Sequence, residues 1–207
     1  MSDNNSFHPI WTSERGLWER ETDQERLRRA SMLLRTAPEQ AIAELQALAQ
    51  NGSVLSMVYL GHAFRNGTGT AVDLQKSDEW YRLATERGSA LAPGILGAYY
   101  YDTGQYSLAE TYFKISAERN YLPAVFRIGK FYLDAPTGDR QLVKARDYLE
   151  QATAGGHVVA KRVLGGLLIQ GNFGLSQRLR GAWLVASALK DILVVTATDP
   201  ESDRLRG

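Results

Sequence analysis

An all-α fold, a solenoid of stacked antiparallel helix pairs, is predicted by three features of this sequence. A frame opened by a small residue recurs at Gly52, Gly88, Asn120 and Gly156, separated by 36, 32 and 36 positions. Inside each frame, a small residue falls four places on (Ser56, Ala92, Ala124, Ala160), and an apolar residue followed by glycine falls eight and nine places on (Leu60-Gly61, Leu96-Gly97, Ile128-Gly129, Leu164-Gly165). A bulky pair then returns in the second half of every frame: Trp80-Tyr81, Tyr112-Phe113, Tyr148-Leu149 and Trp183-Leu184.

Composition bounds the rest. The chain has 207 residues, of which 44% are hydrophobic and 23% charged, values of a folded, water-soluble body and not of a disordered or multi-span membrane chain. A formal charge of +1 supplies no bulk drive toward nucleic acid or anionic lipid, and zero cysteines exclude disulfides, thiolate nucleophiles and Cys-ligated metals.

Residues 1–36 read as an amino-terminal arm followed by a first helix over Asp23 to Arg35. Trp11, Leu17 and Trp18 stand in a charged context, so the arm either docks partially on the repeats, the favoured reading, or orders only on binding. A capping helix follows within 37–52, with Pro38 in its first turn and Ala41, Leu45 and Leu48 on one face. Repeats are then expected at about 53–88, 89–120, 121–156 and 157–197, with a flexible tail over 198–207.

Helical geometry explains the frame. Offsets four, eight and twelve form one stripe of a 3.6-residue helix: Ser56, Leu60 and Phe64, then Ala92, Leu96 and Tyr100, then Ala124, Ile128 and Tyr132, then Ala160, Leu164 and Leu168. The adjacent glycine costs about 1 kcal/mol of helix propensity relative to alanine. Its return at four equivalent places implies a partner helix pressed close, with the bulky aromatic of the second helix in the gap. Asp73 reads as a cap with Lys76 one turn later, and Asn66-Gly67-Thr68-Gly69-Thr70 and Ala135-Pro136-Thr137-Gly138 read as the turns inside the first and third hairpins.

The first repeat, with Tyr59-Leu60-Gly61, Asn66-Gly67-Thr68-Gly69, Val72-Asp73, Lys76, Trp80-Tyr81, Ala84 and Gly88, resembles the Sel1-like repeats, relatives of tetratricopeptide repeats. The third resembles them through Ile128-Gly129, Tyr132, Lys144-Ala145, Tyr148, Ala152 and Gly156. Repeat two is more similar to a plain tetratricopeptide hairpin, and the fourth keeps Leu164-Gly165 and Trp183 but lacks the Lys-Ala pair. The resemblance covers about residues 37–197. It implies a right-handed superhelical solenoid and a protein-binding adaptor role, and it says little about the partner.

Motifs for chemistry fail in turn. Val72 stands where a dinucleotide fingerprint needs its third glycine, and Ala124 and Phe131 replace the first glycine and the hydroxyl of a phosphate loop around Gly129-Lys130. His8, His62 and His157 share no metal spacing. No catalytic residue, cofactor or metal is assigned, and the chain is read as not an enzyme. A hydrolase on a repeat scaffold is kept only as a remote alternative.

Binding should use the face of the first helices opposite their packing stripe. Offsets six, ten and thirteen select His62, Arg65, Tyr101, Phe126, Lys130 and Arg162 as a candidate groove for a peptide or helix of another protein, with the rings as anchors and the cations pairing with acids. A dedicated inhibitor or immunity protein that blocks one toxin or enzyme is the alternative. The final helix either simply closes the stack or leaves Trp183, Val185, Leu189, Ile192 and Val195 as an uncovered apolar strip, available to a second copy of the chain, to another protein or, least favoured, to a membrane surface with Arg178 and Arg180 near phosphates. The apolar run Ala182 to Val195 is interrupted by Lys190 and Asp191 and reads as too short to span a bilayer. A polar start without a secretory signal makes cytoplasmic residence the default, and the chain is read as bacterial.

Overall fold

The computed structural model describes residues 14–134, 138, 140–198 and 204–205. Among them are eleven α-helices and no strand: α1 (Arg15–Glu19), α2 (Gln24–Thr36), α3 (Pro38–Gln50), α4 (Val54–Asn66), α5 (Leu74–Glu86), α6 (Leu91–Asp102), α7 (Tyr106–Glu118), α8 (Leu122–Asp134), α9 (Leu142–Ala154), α10 (Val158–Ile169) and α11 (Leu175–Thr198). The all-α prediction holds. Two compact units, Met1–Leu96 and Gly97–Gly207, divide the chain within α6. Trp11, Ala135 to Thr137 and most of the tail expected to be flexible lie outside the described residues.

The frame origin is a helix terminator. Gly52, Gly88 and Gly156 close α3, α5 and α9 with φ of +94°, +98° and +87°, and Asn120 closes α7 with +59°. Asparagine tolerates left-handed backbone better than other side chains, which is why it stands in for glycine here. The following N–H reaches back into the finished helix in all four cases: Ser53 to the Leu48 carbonyl, Ser89 to Ala84, Tyr121 to Ser116 and His157 to Ala152, at 2.9 to 3.1 Å. Three of those residues then cap the next helix. Ser53 Oγ accepts from the Ser56 N–H at 3.2 Å, Ser89 Oγ from Ala92 at 2.9 Å and His157 Nδ1 from Ala160 at 3.1 Å. One short segment thus ends one helix and starts another.

Every residue of the four predicted stripes is buried. Beside them the glycines are notches. A Cβ on Gly61 would lie 2.8 Å from the Tyr81 ring, on Gly97 2.6 Å from the Phe113 ring, and on Gly129 3.1 Å from Leu149. In these three pairs the occupant is therefore the second member, not Trp80, Tyr112 or Tyr148. One residue is about 100° of helix rotation, so those three are turned to half-buried flanks. There Tyr112 stacks on Tyr100 with centroids 5.5 Å apart, and Tyr148 on Tyr132 at 5.9 Å. In the fourth pair the notch deepens: Gly165 faces Val185 and the Gly181 carbonyl, while a Cβ on Gly181 would meet the Gly165 carbonyl at 2.7 Å. Backbone packs on backbone there.

In the first unit, Ser77 Oγ donates to the Gly61 carbonyl at 2.8 Å, and Asp73 caps α5 through the Lys76 N–H at 2.9 Å, as predicted. That bond holds the Asp73 carboxyl below its ordinary range. The residues around α1 bind through two carboxylates. Buried Glu14 accepts from Ser89 Oγ and from the Leu91 N–H at 2.8 Å, and Glu21 accepts from Ser53 Oγ at 2.7 Å. Negative charge thus sits at the amino ends of α4 and α6, where the helix dipole favours it. The described residues of the arm, from Glu14 on, are held on the first unit by these bonds, and Trp11 lies outside the described residues.

In the second unit, α11 packs on α10 through Gly181, Leu184, Ala188 and Val195. With 24 residues it is long and apolar enough, by length and composition, to cross a membrane, which corrects the shorter estimate drawn from Ala182 to Val195 alone.

The notches make opposed expectations for small changes. Gly61→Ala should cost about 1–3 kcal/mol from overpacking. Tyr81→Phe keeps the ring and removes a buried hydroxyl that has no partner among the described residues, so it should be neutral or stabilise by up to about 1 kcal/mol. A Cβ on Gly166 in α10 meets nothing within 4 Å, and Gly166→Ala should stabilise by about 0.5–1 kcal/mol. Thermal melting of the three variants orders them. The carboxylate strap is tested separately: Glu14→Gln with Glu21→Gln should speed tryptic cleavage at Arg15 and Arg20 several-fold, followed by mass spectrometry.

Candidate functional site

Within the second unit, one cavity gathers three of the six predicted groove residues. Tyr101 comes from the last turn of α6, Phe113 from α7, and Phe126, Arg127, Lys130, Phe131 and Asp134 from one face of α8, around a volume of about 120 Å³. The α8 spacing explains the gathering, since residues four apart share a helical face. Phe126 is nearly fully buried and stacks on His157 with centroids 4.6 Å apart, so the residue that caps α10 also backs the cavity wall. Tyr101 meets Phe131 edge to face at 6.2 Å and Tyr106 at 5.5 Å.

The rim is polar. Lys130 Nζ pairs with Asp134 at 3.0 Å, one turn along α8, so part of its charge is already answered. Arg127 stands beside it. Desolvation raises the Tyr101 hydroxyl above its ordinary pKa, with the charges of Asp134 and Asp102 adding to the effect, which keeps it a neutral hydrogen-bond donor. Aromatic walls and a rim with two cations, one carboxylate and one phenol suit a single apolar or aromatic side chain that has an acidic neighbour.

Arg162 is exposed on α10 and does not line the cavity. His62 and Arg65 lie on α4 in the first unit. His62 is exposed, next to Asn66; partial desolvation and the Arg65 charge lower its pKa, so its imidazole is neutral near pH 7. Sequence reasoning missed Phe113, Arg127 and Phe131. Phe113 stands in the recurring Tyr112-Phe113 pair, which reads in the sequence as packing only and draws no binding role. Arg127 and Phe131 each sit one place beyond a selected offset, a signal present in the sequence but discarded by the choice of a single row.

Next to the cavity, a polar cluster joins α7 to α8. Glu110 accepts from Lys114 Nζ at 2.6 Å and from the Tyr132 hydroxyl at 2.7 Å, and Lys144 Nζ lies 5.1 Å from the Tyr132 ring. Burial works against the Glu110 charge, but the two hydrogen bonds prevail and its pKa lies below the ordinary value. The same burial and bond raise Tyr132 to about 12. Among the described residues, no group of three His, Asp or Glu could hold a metal ion.

The uncovered row on α11 differs from the predicted strip. Trp183 is 64% exposed and Leu189 56%, as required, but Val185 fills the Gly165 notch, Ile192 is half-buried and Val195 is buried. The Gly165–Gly181 contact fixes the rotation of α11 and turns Val185 and Val195 inward. The row that remains is Leu175, Leu179, Trp183, Leu189 and Leu193, each more than half exposed.

Repeated helix pairs, a left-handed terminator at every frame origin and glycine notches filled from the second helix make up a helical-repeat solenoid similar in fold to Sel1-like repeat proteins. The comparisons agree. The chain is 35% identical over 85 residues to a sel1-like repeat-containing protein of Acanthamoeba polyphaga mimivirus, a match that spans 41% of this chain and 16% of that one. Its fold is similar to the crystal structure of a Sel1 repeat protein from Oxalobacter formigenes, with a TM-score of 0.71 and 20% identity over 83% of this chain and 74% of that one. It is also similar to a protective antigen of uropathogenic Escherichia coli that displays an SLR fold, with a TM-score of 0.70 and 18% identity over 86% and 40% of the two chains. No family model matches.

The Glu110–Lys114–Tyr132 cluster carries a pH signature. Glu110 is depressed on folding, so its contribution is complete above about pH 4.5 and is lost as pH falls through its folded value. Tyr132 is raised, so its contribution is complete below pH 10 and is lost as pH climbs toward about 12. Melting temperature against pH should fall less steeply in acid for Glu110→Gln and less steeply in base for Tyr132→Phe than for the parent.

Proposed function

We propose that this chain is a protein-interaction module with no catalytic step, and that the cavity of the second unit seats one anchor side chain of a partner peptide or helix. The observation that supports this reading is the match of size and chemistry. A volume of about 120 Å³ falls well below the roughly 300–1,000 Å³ of small-molecule sites, yet suits one buried side chain. Its rings supply the desolvated contact that anchor residues favour, and Arg127 and Lys130 supply partners for an adjacent acid. Arg162, exposed on α10, is a further cation for a longer segment. The Lys130–Asp134 pair opens readily toward an incoming carboxylate, since exposed pairs of this kind contribute little.

A random peptide library displayed on phage tests the reading. Selected peptides should share an aromatic or large aliphatic residue within a few places of Asp or Glu. Calorimetry with the best peptide should show at least a tenfold loss of affinity for Arg127→Glu with Lys130→Glu, with the melting temperature nearly unchanged. Selection of no common motif, or equal binding by the double variant, would sink the proposal.

A further inference from the structure

The exposed face of α11 has a pattern that its packing against α10 does not explain. Leu179, Ala186 and Leu193 repeat every seven residues, and so do Leu175, Ala182 and Leu189; together they are the two apolar rows of a heptad seam. All six are exposed. The inward residues Gly181, Leu184, Ala188 and Val195 form a separate row already used against α10. Thus α11 carries two apolar faces, one packed on α10 and one left exposed among the described residues.

The free row also reads the same from either end. About a centre at residue 184, Leu175 mirrors Leu193, Leu179 mirrors Leu189 and Ala182 mirrors Ala186. Antiparallel seams place each residue of one row opposite a residue of the other row of the partner helix. Two copies of α11 related by a two-fold axis at residue 184 therefore pair leucine with leucine at both ends and alanine with alanine in the middle. The small central residues let the helices approach to about 8 Å. Trp183 lies next to the axis, while Arg178 and Lys190 fall outside both rows and stay in solvent. Self-complementarity of this kind is what a two-fold interface requires.

We propose that α11 is a homodimerisation helix that pairs antiparallel with α11 of a second copy, centred near residue 184. The surface suffices. Leu175, Leu179, Trp183, Leu189 and Leu193 are 72%, 68%, 64%, 56% and 73% exposed. Together they present on the order of 600 Å² per copy, near the lower end of the roughly 600–1,000 Å² per side of specific interfaces. A bilayer would ask only for apolar side chains; it has no use for mirrored spacing, nor for Arg178, Arg180, Lys190 and Asp191 on the same helix.

Sedimentation equilibrium of the full chain from about 1 to 100 µM should give a dimer mass, with Leu179→Glu plus Leu189→Glu a monomer of unchanged circular dichroism. The chain has no cysteine, so register is read directly. An equal mixture of Leu179→Cys and Leu189→Cys chains should cross-link under mild oxidation between unlike copies, and neither variant with itself. The proposal is overturned by a parent that stays monomeric, by a dimer that survives the double glutamate variant, or by cross-links between like copies. Flotation of a monomeric parent with phosphatidylcholine–phosphatidylglycerol vesicles would also overturn it and assign the face to membrane.

Discussion

Contact between a glycine of one helix and a bulky side chain of the next is the constraint on which each hairpin depends. The helices approach closely only because Gly61, Gly97, Gly129 and Gly165 have no Cβ, and the space is filled at once by Tyr81, Phe113, Leu149 and Val185. Glycine weakens each first helix on its own. The interhelical packing more than offsets that loss, because close-packed apolar contact is the main favourable term in a small repeat that cannot bury its face alone. The binding cavity inherits this geometry: Phe113, the occupant of the Gly97 notch, is also a wall of the cavity.

Much of the architecture was legible in the sequence because the frame is a direct trace of helix geometry. Offsets four, eight and twelve became buried stripes, and the alternation of glycine with asparagine at the frame origin is the mark of left-handed backbone. What could not be read was rotation to within one residue. Tyr81 and Trp80 are both large and aromatic, and composition does not say which of two neighbours enters a notch when each step turns the side chain by about 100°. The same ambiguity placed Val185 and Val195 on the wrong face of α11, where two consecutive valines and several leucines surround the helix. Only the Gly165–Gly181 contact resolves it, and that contact depends on distances that sequence spacing does not contain.

The candidate site was legible in part for a related reason. Tyr101, Phe126 and Lys130 were found because offsets measured from the frame origin hold from one frame to the next. Arg127 and Phe131 were lost because a helical face is wider than one row. Phe113 was lost because its pair with Tyr112 was assigned to packing as a whole, whereas it both fills the Gly97 notch and walls the cavity. The Lys130–Asp134 pair softens the expected basic character, since the acid one turn away was not weighed against the cation.

The carboxylate strap has a consequence for the order in which the first unit is completed. Glu14 and Ser89 are 75 positions apart, and Glu21 and Ser53 are 32 apart. The segment synthesised ahead of the rest of the unit therefore meets its partners later: Ser53 after α2 and α3 have followed, and Ser89 only after α4 and α5. Until then two acidic side chains stay hydrated and two helix starts lack their countercharge. Closure of this long loop is a late step, opposed by chain entropy, and it makes the residues around α1 the clasp of a structure built without them.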